Sequence, residues 1–158
     1  MSIEKIKEDL KAAMMQKDEL KVSVLRLLFA AITNKEKEKR YKVSKTKPDL
    51  QETDLEKESK LNEEEIMEAI SSELKKRKEA IAGFESGGRK DMADKEKKEA
   101  EILQSYLPAQ LSEDELKKMI KEAVDKVGAK EMKDMGKVMQ ELMPKVKGKA
   151  DGNLISKI

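Results

Sequence analysis

The sequence predicts an all-α protein, and three observations carry that expectation. Gly and Pro are scarce, at 7 and 3 in 158 residues, which fits long helices joined by few turns. Apolar residues recur three and four positions apart along much of the chain, the spacing of a helical face. Aromatics reach only 3 %, with no tryptophan, so Leu, Ile, Val, Met and Ala must build a modest core, as in small helical bundles.

The elements follow in order. Ile3, Ile6, Leu10, Ala13 and Met14 form a first stripe, with Ser2 placed to cap it. A second helix starts near Asp18 and is apolar over much of its circumference (Leu20, Val22, Val24, Leu25, Leu27, Leu28, Phe29, Ala31, Ile32). That pattern predicts a buried central helix. Residues 34–60 are polar with few recurring apolar positions, which predicts a fraying helix end followed by a long polar loop or a mobile excursion. Asn62 with Glu65 reads as a capping box opening a third helix, whose stripe is Ile66, Ile70, Leu74, Ile81 and Phe84, ended by Ser86-Gly87-Gly88.

A fourth helix is expected from about Arg89 to Tyr106, before Pro108. Ser112 and Glu115 form another capping box, opening a fifth helix along Leu116, Met119, Ile120, Ala123, Val124 and Val127, with Gly128 as its left-handed cap. A sixth covers roughly Lys133 to Met143 and stops at Pro144, and Asp151 can cap a short seventh. The stripes divide near residue 97. The expected domains are therefore 1–96, with a polar insert at about 41–60, and a smaller 97–158.

Composition excludes more chemistry than it offers. With no histidine and no cysteine, the commonest neutral-pH general base, the thiol nucleophile and thiolate metal ligands are all missing. Neither phosphate-loop fingerprint occurs, and Ser23, Ser71 and Ser72 sit inside helices rather than on a Gly-rich nucleophile turn. The sequence therefore names no catalytic residue, no metal and no cofactor. No stretch approaches the roughly 20 apolar residues of a membrane span, and the N-terminus lacks a signal-peptide core, so a cytoplasmic protein is the default expectation. The oligomeric state stays open.

Charge is distributed unevenly. Residues 1–96 hold 22 basic and 22 acidic side chains, residues 97–127 hold 6 and 7, and residues 128–158 hold 7 and 4, which accounts for the net +2. The run from Gly136 to Gly152 carries Lys137, Lys145, Lys147 and Lys149. If the chain is extended after Pro144, alternate lysines align on one side, and Gly148 lets a phosphate approach the backbone. Solvated, idle lysines are the alternative. Gly136, Gly148 and Asp151 are read as structural positions of this segment, with Ser112 and Gly128 before it. Arg26 and Arg77 lie against apolar stripes. Structural ion pairs, for Arg77 to Glu73 or Glu96, compete with a second basic patch of Lys76, Arg77, Arg89 and Lys90.

The stretch GFESGGRKDMADKEKKEAEILQSYLPAQLSEDEL, followed by DMGKVMQELMPKVKGKADGNLISKI, resembles the YqeY family, also called the GatB/YqeY family. The similarity is very close from about residue 62 onward and recognisable in residues 1–34, while the insert at 41–60 is longer than the family pattern. GKVM…KGKADG is also similar to the tail of the B subunit of the glutamine-dependent aspartyl/glutamyl-tRNA amidotransferase, a part that grips the tRNA body. The resemblance implies an N-terminal helical domain, a small three-helix C-terminal domain, and tRNA or another structured RNA as partner. Its family label is carbon–nitrogen ligase activity with glutamine as amido-N-donor, yet the amidase Ser-Ser-Lys set and the kinase-like domain of that complex have no counterpart here. A non-catalytic RNA-binding module is the leading expectation. A component acting with catalytic amidotransferase subunits and a protein-interaction bundle are the alternatives.

Overall fold

The computed structural model describes residues 2–108, 111–146 and 149–150. They are all-α, with no strand among them. The helices are α1 (Ile3–Met15), α2 (Glu19–Thr46), α3 (Glu52–Ser59), α4 (Glu63–Ser86), α5 (Lys90–Gln104), α6 (Glu113–Val127) and α7 (Met135–Val146), with a 3-10 turn at Met132–Asp134. The chain divides into two compact units, Met1–Tyr106 and Leu107–Ile158. Residue 97, where the apolar stripes divide, lies inside the unbroken α5.

In the N-terminal unit α2 packs against α1, α3, α4 and α5. It buries Val24, Leu25, Leu28 and Ile32, spaced at three and four, against Ile6 and Ala13 of α1 and the core positions Ile66, Ala69, Ile70 and Leu74 of α4. Burying one such side chain stabilises by about 1.5–3 kcal/mol. The all-round apolar pattern of α2 does not translate into all-round burial. Leu27 is 53 % exposed and Arg26 is exposed on the same side. Tyr106, beyond the end of α5, donates its hydroxyl proton to Asp9 of α1 across 2.6 Å. That bond is the main reason the Asp9 carboxyl is held below its ordinary range, with Lys5 assisting.

The polar segment is not a loop. α2 runs on to Thr46, and α3 forms between Glu52 and Ser59. These turns are tied by charge rather than by a stripe. Lys39 Nζ reaches the Lys60 carbonyl at 2.8 Å and Glu65 at 2.7 Å, Arg40 meets Glu52 at 3.0 Å, and Lys47 meets Glu58 at 2.8 Å. Periodicity misses such helices because their partners lie on another element. Each exposed pair contributes only about 0–1 kcal/mol, so the segment depends on several together.

Helix ends follow the capping signals. Ser2 accepts from the Lys5 N–H and Asp18 from the Lys21 N–H, and both capping boxes, Asn62/Glu65 and Ser112/Glu115, are closed in both directions. Gly88 and Gly128 take the left-handed conformation that ends α4 and α6. α1 ends in the same way on Lys17, at φ 57°: its N–H donates to the Met14 carbonyl and the Asp18 N–H to the Ala13 carbonyl. A side chain there costs roughly 1 kcal/mol relative to glycine, so lysine is an unfavourable residue for this cap and gives no sequence signal of its conformation. Ser112→Ala should destabilise the C-terminal unit by about 1 kcal/mol, read as faster amide exchange across α6.

In the C-terminal unit α6 and α7 close on Leu116, Ala123, Val138, Leu142 and Val146, with Met119, Ile120, Val124 and Met139 packed around them. Pro144 does not end α7, contrary to its reading as a breaker; it sits inside the last turn, and the helix continues to Val146. A proline costs about 3 kcal/mol in a helix interior, and less in a final turn, where few downstream bonds are lost. Val146 is fully buried, and its burial offsets that cost.

Candidate nucleic-acid interface

Lys137 and Lys145 are positioned by the helix that Pro144 fails to stop. Residues 137, 141 and 145 are spaced by four and fall on one face of α7. Lys145 is therefore helical, 3.3 Å from Glu141, rather than part of an extended row. The extended row expected of Lys145, Lys147 and Lys149 fails at Lys145 for that reason. Lys147, Gly148 and Asp151 lie outside the described residues. Lys149 stands in a turn, its N–H donating to the Val146 carbonyl at 2.8 Å and its carbonyl accepting from the Leu111 N–H at 2.9 Å. Gly136 is in the first turn of α7, where an added Cβ would meet nothing within 4 Å.

A further cation joins this face from α6. Lys126 reaches the same Glu141 oxygen at 2.5 Å, so two ammonium groups share one carboxylate. Lys126 first and Lys145 second hold the Glu141 carboxyl below its ordinary range. Lys137 lies close enough to Asp134 to lower that carboxyl as well, although backbone N–H donors from Lys130 and Glu131 act on it more strongly. Lys126 was not legible in the sequence, because its position beside α7 is set by the packing of α6. Around Glu141 the charge remains positive, and the ammonium groups are exposed.

The second basic patch does not assemble around Arg77. Its side chain is 12 % exposed, and its Nη1 donates to Glu96 at 2.9 Å and also to Glu99, itself buried. The ion-pair reading holds, with Glu96 as foreseen and Glu99 as an added partner; Glu73 instead pairs with Lys76 at 2.7 Å. Arg89 faces Asp91 at 3.5 Å, and Lys90 is exposed in the first turn of α5. Among the described residues Arg26 has no ion-pair partner, contrary to expectation, because it is on the solvent side of α2.

Known proteins similar to this chain include "Altered inheritance of mitochondria protein 41, mitochondrial" of Eremothecium gossypii. It is 34 % identical over 104 residues, covering 66 % of this chain and 48 % of the relative. The protein of the same name from Vanderwaltozyma polyspora is 28 % identical over 136 residues, covering 82 % and 64 %, and that of Lachancea thermotolerans 32 % over 106 residues, covering 67 % and 48 %. The chain thus spans about half to two thirds of the length of these curated relatives. Their names carry "mitochondrial", which overturns the cytoplasmic expectation. The Yqey-like protein family matches residues 3–158, so this chain belongs to it.

Proposed function

We propose that the C-terminal unit binds structured RNA, tRNA first among candidates, by gripping phosphates and without chemistry of its own. The observation that supports this is the Glu141 cluster, where Lys126 and Lys145 share a single carboxylate on the helix face that also carries Lys137. A carboxylate shared in this way leaves a cationic surface. Each ammonium can turn to a phosphate while the other keeps Glu141 satisfied. Lys147 and Lys149 extend the basic run beyond α7, in the part of the chain that carries the charge excess of 7 basic against 4 acidic residues. Ammonium groups of this kind position a nucleic acid rather than read its sequence. The similarity of this segment to the tRNA-gripping tail of the amidotransferase points to the same partner class.

The test is titration with tRNA at several salt concentrations. With about four phosphates engaged, log affinity should fall with log salt at a slope of roughly −3. The combined Lys137→Ala, Lys145→Ala, Lys147→Ala and Lys149→Ala variant keeps Lys126 on Glu141, and it should stay folded while losing most of that slope. Superimposable curves for the two proteins would remove this surface from RNA binding.

A further inference from the structure

We infer that the solvent face of α2 docks a second copy of this chain, with two α2 helices meeting antiparallel about a two-fold axis near residues 22 and 23. The face is a groove of about 580 Å³ whose lining includes Met14, Glu19, Val22, Ser23, Arg26 and Leu27. Beside it are three of the most exposed large apolar side chains among the described residues: Met14 at 51 %, Met15 at 78 % and Leu27 at 53 %. Water-facing apolar surface of this kind favours an interface.

Charge complementarity selects the occupant. Arg26 and Glu19 are both exposed, and neither forms an ion pair among the described residues. From Leu20 to Lys35 the sequence contains no acid, so Arg26 has no carboxylate nearby on its own helix. Glu19 and Arg26 lie equally far on either side of the midpoint between residues 22 and 23. At 1.5 Å per residue each is about 5 Å along the axis from that point. A two-fold through the midpoint therefore sets Glu19 of one copy level with Arg26 of the other, and does so twice, as an isologous interface requires. Val22 then faces Ser23, a pairing small enough for close approach. Leu27, about 7 Å from the axis, comes level with the other copy's α1–α2 turn, where Met14 is exposed.

Other occupants fit less well. The groove mixes Glu19 with Lys17 and Arg26, and an acid within it repels a polyanion. Two cations fall short of the 4–8 typical of anionic-membrane patches. No aromatic side chain lines the groove to stack a base. This inference is independent of the RNA reading, which concerns the other unit.

Sedimentation equilibrium of the 158-residue chain tests it, with circular dichroism verifying that each variant is folded. The wild type should dimerise reversibly. Arg26→Glu and Glu19→Arg should each weaken dimerisation by about tenfold or more, because the two-fold introduces every like-charge contact twice. The double exchange, Glu19→Arg with Arg26→Glu, should return affinity to within about threefold of wild type, the mark of direct pairing. Leu27→Ser should weaken the dimer without touching a charge. A wild type that stays monomeric to about 1 mM overturns the inference. So does a double exchange no tighter than the single variants, or a dimer indifferent to Leu27→Ser, either of which places any association elsewhere.

Discussion

Arg77→Met should destabilise the N-terminal unit by about 3 kcal/mol, the usual cost of removing one member of a buried ion pair. Among the described residues the guanidinium is the only cation paired with Glu99, which is 8 % exposed in its side chain, and it also holds Glu96. Without it two carboxylates are left close together with little water. The penalty comes from the stranded charge and not from lost attraction, so a second change should recover most of it. Arg77→Met combined with Glu99→Leu should be within about 1 kcal/mol of wild type, since apolar replacement of a buried pair is often neutral. Urea unfolding followed by circular dichroism measures both. Equal losses in the single and double variants would mean that Arg77 acts through packing of its stem.

Leu142→Ala should cost about 3 kcal/mol in the C-terminal unit, within the 2–5 kcal/mol range for truncating a buried leucine. Leu142 is fully buried at the centre of the α6–α7 core, beside Leu116, Ala123, Val138 and Val146. A unit of this size, Leu107–Ile158, buries too little surface to absorb such a loss easily. Hydrogen exchange on the full chain should show α6 and α7 losing protection while α2 and α4 keep theirs. Equal loss in both units would mean that they unfold as one.

How far the sequence could be read differs from element to element. Ser112/Glu115 and Asn62/Glu65 were legible because a capping box is closed within four residues and needs nothing from the rest of the chain. α3 was not legible, since Arg40–Glu52 and Lys47–Glu58 tie it to α2 and to the residue that caps α2. Pro144 misled for a related reason. The rule for proline is local, and the burial of Val146 that keeps the last turn helical is not. The break before Asp18 was legible, but not its left-handed form at Lys17, which is closed by backbone bonds to the Met14 and Ala13 carbonyls and not by the preference of a lysine.

The candidate interface divides in the same way. The sequence by itself determined the all-α class, the helix caps, and a C-terminal excess of lysine, since propensity, capping and charge count depend on near neighbours or on composition alone. Only the tertiary structure decided that Lys126 joins Lys145 on Glu141, that Arg77 is drawn inward between Glu96 and Glu99, and that Leu27 and Arg26 face water on a helix that buries only one face. The physical reason is that solvent exposure and the partner of a charge are properties of facing helices. A one-dimensional period gives the face of each helix but not which faces meet.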